Sequence, residues 1–200
     1  MDYVCIDEVQ DLTMRQIGLF KYVSHNVEEG FVFSGDPAQT IERGIDYKSE
    51  DVQQLFYNDF MQEIEGGGKI SKICQLSLNF RTHSGILKLA QSVTDLLCHF
   101  FPLFCDVLSV HVASGAHYRS TCHVSTDVVL YNLFGSSPMK NQWRIVYKYM
   151  KGRKLLDNSF ISRYPQFKPA RHNILCSELK QLYVAVTRAR QRLWICENNG

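Results

Sequence analysis

The stretch Tyr3-Val4-Cys5-Ile6-Asp7-Glu8-Val9-Gln10-Asp11 constrains this chain more than any other. An apolar, β-branched run that stops at two adjacent carboxylates has the pattern of a buried parallel strand delivering acidic groups at its carboxyl end. Open α/β sheets bind ligands at that edge. A nucleotide-hydrolysing site needs one carboxylate there to hold Mg2+, usually through water, and a second to activate or orient the attacking water. Asp7 suits the first task and Glu8 the second. The plainer alternative is an acidic strand end before a capped helix, since Thr13 and Gln16 stand at capping-box spacing and Asp11 or Thr13 can cap.

The segments that follow extend an α/β pattern. Leu12 to Ser24 places Ile17, Leu19, Phe20 and Val23 near one helical face, which would pack on the sheet. Phe31-Val32-Phe33-Ser34 reads as a second short buried strand, and it opens into Gly35-Asp36-Pro37-Ala38-Gln39-Thr40-Ile41. Gly35 permits a tight exit, Asp36 is a good turn residue and Pro37 fixes the direction of the loop. Gln39 on such a loop can donate a hydrogen bond to a terminal phosphate. Read as an ordinary turn, the same residues need no function.

Asp51 to Ile64 predicts a helix with Val52, Leu55, Phe56, Phe60 and Ile64 on one side, ended by Gly66-Gly67-Gly68. That glycine run lacks the Gly-Lys-Ser/Thr ending of a phosphate loop and reads as a connector. Ile73 to Leu78 is a further strand, leading into Asn79-Phe80-Arg81-Thr82-His83. Arg81, just past a strand and before a helix, can pair with a phosphate through its planar fork; the alternative is a surface arginine with Thr82 as the helix cap. His83 to Phe100 carries a broad apolar face.

From Cys98 to His123 the cysteines and histidines raise zinc, yet their spacings match no compact ligand pattern. Asp127 to Phe134 reads as a buried strand, Pro138 to Met150 as a helix, Asn173 to Thr187 as a second helix and Leu193 to Cys196 as a last strand. Seven cysteines without a CxxC pair argue against a disulfide framework and for a reducing compartment. No apolar run reaches membrane-spanning length, so a soluble intracellular protein is expected, in the nucleus or cytoplasm. The formal charge of +2 announces no polyanionic partner, although Arg188, Arg190 and Arg192 make the C-terminal end basic. Met1 stands two residues before a core strand, as if the chain began inside a larger fold.

Taken in order, Ile6 to Asp11, Ser34 to Ile41, Asn79 to Thr82 and Leu182-Tyr183-Val184-Ala185-Val186-Thr187-Arg188-Ala189-Arg190 resemble motifs II, III, IV and VI of the UvrD/Rep-like superfamily 1 helicases. Leu130 to Pro138 and Glu178 to Trp194 look most like the eukaryotic, plant-type members described as TPR and ankyrin repeat-containing. The resemblance implies parts of two RecA-like P-loop NTPase domains with parallel sheets, both incomplete. Residues 1–80 would be the end of the first, 81–123 a helical connector and 124–200 an abbreviated second. It implies an ATP-dependent motor stepping along single-stranded DNA or RNA, with ATP and Mg2+ as cofactors. Asp7 would hold Mg2+ and Glu8 would activate water beside it. Gln10 and Gln39 would couple the terminal phosphate to nucleic acid, and Arg81 and Arg188 would contact phosphate, Arg188 in the transition state. The chain departs from the family in having no Gly-x-x-x-x-Gly-Lys-Ser/Thr and no motif V; His123 to Asp127 stands in the latter's place, as an internal deletion or mis-joined exon would leave it. The alternative is a catalytically inactive remnant acting as a binding or regulatory module.

Overall fold

The computed structural model describes residues 3–26, 30–41, 49–61, 74, 79, 81–102, 125–157 and 165–198. The chain divides into two compact units, Met1–Leu76 and Ser77–Gly200. Each contains a two-stranded parallel sheet among its described residues. Parallel strands cannot be joined by a hairpin, and in both units helical chain lies between the paired strands.

In the first unit, β1 (Val4–Ile6) pairs with β2 (Phe31–Phe33) in the register Val4 to Phe31, Cys5 to Val32 and Ile6 to Phe33. The connection runs through α1 (Met14–Gly18) and a 3-10 turn at Leu19–Tyr22. The helix expected over Leu12 to Ser24 is therefore shorter than its apolar spacing predicts. Its start is set by a capping box, in which the Thr13 hydroxyl accepts from the Gln16 amide while the Gln16 side chain accepts from the Thr13 amide. Gly18 weakens its continuation, since glycine in a helix interior costs about 1 kcal/mol relative to alanine. Ile6, Val9, Ile17 and Val52 form the buried centre of this unit, with Leu12, Phe20, Phe31, Phe33 and Leu55 packed around it.

α2 (Ser49–Leu55) passes into a π-helical turn at Phe56–Met61. There Phe56 and Phe60 stack at 4.6 Å between ring centres, and Phe60 meets Phe31 edge-on at 5.3 Å. The aromatic side of the expected 51–64 helix thus covers β2. The strand expected at Ile73 to Leu78 lies, but for Cys74, outside the described residues.

In the second unit, α3 (Ser84–Phe100) packs along α5 (Asn173–Thr187), and both lie on β3 (Ser125–Tyr131) or β4 (Ala189–Cys196). The short α4 (Ile145–Gly152) supplies the fully buried Ile145. Leu97, Leu175, Leu179, Val186 and Ala189 are also fully buried, and this is the larger of the two cores. Burying a leucine or isoleucine side chain contributes about 1.5–3 kcal/mol.

Several expectations change here. β3 is not buried on both faces: Leu130 is, whereas Val129 and Tyr131 are 60% and 70% exposed. β4 begins at Ala189 rather than Leu193, because Arg190 and Arg192 alternate outward and interrupt the apolar run without ending the strand. The helix expected from Pro138 begins only at Ile145, since the preceding residues are held as turns by side-chain bonds to Glu178. α3 is capped by the His83 ring, which accepts from the Gly85 amide, in place of Thr82. Cys98 is disulfide-bonded, while Cys5, Cys74, Cys176 and Cys196 are free. No described helix is long and apolar enough to cross a membrane.

Candidate functional site at the carboxyl edge of the first sheet

β1 and β2 end side by side, so the residues following each strand share one edge. That register brings Ser34 to Asp7: the Ser34 amide donates to the Ile6 carbonyl at 2.9 Å, and the Ser34 hydroxyl donates to Asp7 Oδ1 at 3.1 Å. The same Asp7 oxygen accepts from the Glu8 amide at 2.8 Å. Glu8 stands at the exit of the strand with φ 54° and ψ 40°, in the left-handed region that costs a non-glycine residue roughly 1–3 kcal/mol. The bend turns the chain sharply and leaves the Asp7 and Glu8 carboxylates at the mouth of the edge, both half-buried.

Gln10 follows in a 3-10 turn (Val9–Asp11) and is only 1% exposed. Its Nε2 donates to Glu8 Oε2 at 2.6 Å, and its Oε1 accepts from the Asp36 amide at 3.0 Å. Across the edge, Asp36 caps the turn Pro37–Gln39 by accepting from the Ala38 amide at 3.0 Å. Its other oxygen accepts from Gln39 Nε2 at 2.9 Å. The loop expected over Gly35 to Ile41 thus contains a 3-10 turn closed by Asp36, which also tethers Gln39.

Of the six residues singled out from the sequence, Asp7, Glu8, Gln10 and Gln39 meet at this one edge. Ser34 and Asp36 are the participants that the sequence reading passed over. The parallel register is what places Ser34 there, since the residue after β2 lies beside the residue after β1.

Arg81 and Arg188 belong to the second unit. The Asn79 side chain accepts from the Arg81 and Thr82 amides at 2.8 and 3.2 Å, and so fixes the turn that carries Arg81. The Thr82 hydroxyl then reaches the Ala189 carbonyl, and the His83 amide the Arg190 carbonyl. Arg188 is the residue that ends α5. The turn with Arg81 and the helix-to-strand junction with Arg188 are therefore stitched together. The second unit also holds a cavity of about 160 Å³ between Leu133, Ser137, Trp143 and Glu178. Glu178 accepts from Trp143 Nε1 at 2.6 Å and from the Ser137 hydroxyl at 2.7 Å.

Among the described residues no three His, Cys, Asp or Glu side chains converge as metal ligands. The acidic edge therefore fits Mg2+ only in its hydrated mode, in which one or two carboxylates, water and phosphate oxygens of the ligand complete the octahedron. The stretch expected to raise zinc falls mostly on residues 103–124, outside the described ones.

No family model matches the chain. It is 27% identical to TPR and ankyrin repeat-containing protein 1 of Homo sapiens, in an alignment covering 96% of this chain and 9% of that protein. These findings overturn the assignment to the UvrD/Rep-like helicases, and the motor, helicase-remnant and DNA-binding readings that hung on it fall as well. The physical reason is that each matched motif is short and made of parts any parallel α/β protein uses: an acidic strand end, a Gly-Asp-Pro turn, a helix closing on Thr-Arg. What the chain resembles is a protein named for its repeats, and the stretch it shares is a small part of that protein's length.

Proposed function

We propose that the first unit is a binding module for a phosphate-bearing ligand held through hydrated Mg2+. The observation that carries this reading is the gathering of Asp7, Glu8, Ser34 and Gln39 at the carboxyl edge of paired parallel strands, where open α/β sheets take ligands. In it, Asp7 holds a water of the cation, Glu8 faces the ligand, and Gln39 donates to a phosphate oxygen. Each parallel pair is then a portion of a larger nucleotide-binding sheet of the RecA-like kind. Arg81 and Arg188 supply planar donors suited to phosphate in the second unit. No bond-breaking step is included, because neither a phosphate loop nor its lysine is in the chain.

Two sources of phosphate share this chemistry, a nucleoside triphosphate and an inorganic polyphosphate. Titration calorimetry of the chain with Mg2+-ATP, and separately with inorganic triphosphate plus Mg2+, distinguishes them. The expected result is binding that EDTA abolishes and that Asp7→Asn weakens at least about tenfold, as loss of a charge-assisted contact would. Absence of heat with both probes at millimolar concentration would end the proposal.

A further inference from the structure

Gln10 is the most deeply buried of the described polar side chains at the acidic edge, and both ends of its amide are engaged. One end gives a hydrogen to Glu8 on the β1 side. The other takes one from the Asp36 amide on the β2 side, and Asp36 in turn holds Gln39. Gly35 lies against the same amide. A Cβ at that position would stand 2.6 Å from Gln10 Oε1 and 2.9 Å from Val9 Cγ1, closer than real Cβ atoms come. Only a side chain with a donor at one branch and an acceptor at the other can make both bonds. Leucine can make neither, methionine offers only a weak sulfur acceptor, and glutamate makes only the second.

We propose that Gln10 is a positioning residue: a latch that joins the two strand-end loops and sets the Glu8 carboxylate and Gln39 amide relative to one another. Gln10 reaches the ligand through these two residues. In part the inference deepens the phosphate-site reading, but the latch itself is a property of the ligand-free chain and can be tested without any ligand.

The experiment is amide hydrogen exchange on the full chain, read residue by residue by NMR. The Val9 and Ser34 amides, bonded to the Ser34 and Ile6 carbonyls, report whether the strand edge is intact. In Gln10→Met the Asp36 amide should exchange about tenfold faster, while Val9 and Ser34 keep their protection. In Gln10→Glu the Asp36 amide should stay protected, because the acceptor remains, yet Mg2+-ATP affinity should fall about tenfold because two carboxylates now face each other at Glu8. Gly35→Ala, which displaces the Gln10 amide without removing it, should reproduce the Asp36 effect. An Asp36 amide unchanged in both Gln10→Met and Gly35→Ala overturns the latch. So does equal loss of protection at all three amides, which would make Gln10 a packing residue. If the wild-type chain binds no Mg2+-ATP, the phosphate reading fails while the exchange data still decide the latch.

Discussion

Asp127 and Arg192 face each other across β3 and β4 in a two-pronged pair, Nε to Oδ1 and Nη2 to Oδ2, both at 2.7 Å. The hydrogen bonds from Arg192 hold the Asp127 carboxyl below its usual range, and the same contact raises the guanidinium. A carboxyl whose folded pKa lies below its unfolded one contributes stability above the unfolded value and loses it as pH falls through the folded value. Acid unfolding between about pH 5 and pH 2 should therefore include a component from this pair, small because the pair is exposed. Asp127→Asn should flatten that part of a denaturation-versus-pH series, and a profile identical to wild type would refute the assignment. Cys176 shifts the opposite way, since burial pushes its thiol up despite nearby Lys180. At this scale the sequence was partly legible. Asp7, Glu8 and Gln39 could be read because strand ends and stiff turns announce themselves locally. The partners Ser34 and Asp36 could not, because they depend on register between strands 27 and 26 residues apart in the chain.

Helices α3 and α5 carry the second unit. Leu97 of α3 and Leu175, Leu179 and Val186 of α5 are fully buried, and with the buried Leu182 the α5 residues fall at the three- and four-residue spacing of one helical face. Leu179→Ala should destabilise this unit by about 2–5 kcal/mol, measured by urea unfolding. A loss below about 1 kcal/mol would mean the interface collapses around the gap. The periodicity that foretold these two helices was strong because each has a single apolar stripe. It misjudged the stretch before α4, where Ser137 and Trp143 bind Glu178 from a distance in sequence and hold the chain in turns. It also misjudged β3: two exposed apolar residues flanking one buried residue give the same string of letters as a strand covered on both faces.

The chain divides into two units, and among the described residues each has its own buried core. Chains with separate cores depart from two-state unfolding, and calorimetry should resolve two transitions. Ile17→Ala should lower only the one belonging to Met1–Leu76, and Leu179→Ala only the other; a single transition that both substitutions shift equally would contradict the division. The presence of parallel α/β units was legible from the sequence, because apolar strands and striped helices alternate. The choice of family was not, because short motifs at strand and helix ends record local chemistry shared by many unrelated sheets.

The two tryptophans, Trp143 and Trp194, both lie in Ser77–Gly200. Trp143 is half-buried with its indole nitrogen bonded to a carboxylate, and Trp194 is 54% exposed on the outer face of β4. Their emission should resolve into a blue-shifted component sheltered from acrylamide and a red-shifted one that is quenched readily. Fluorescence followed at the tryptophan band therefore arises from residues of Ser77–Gly200, and the unfolding of Met1–Leu76 calls for a probe placed within that unit.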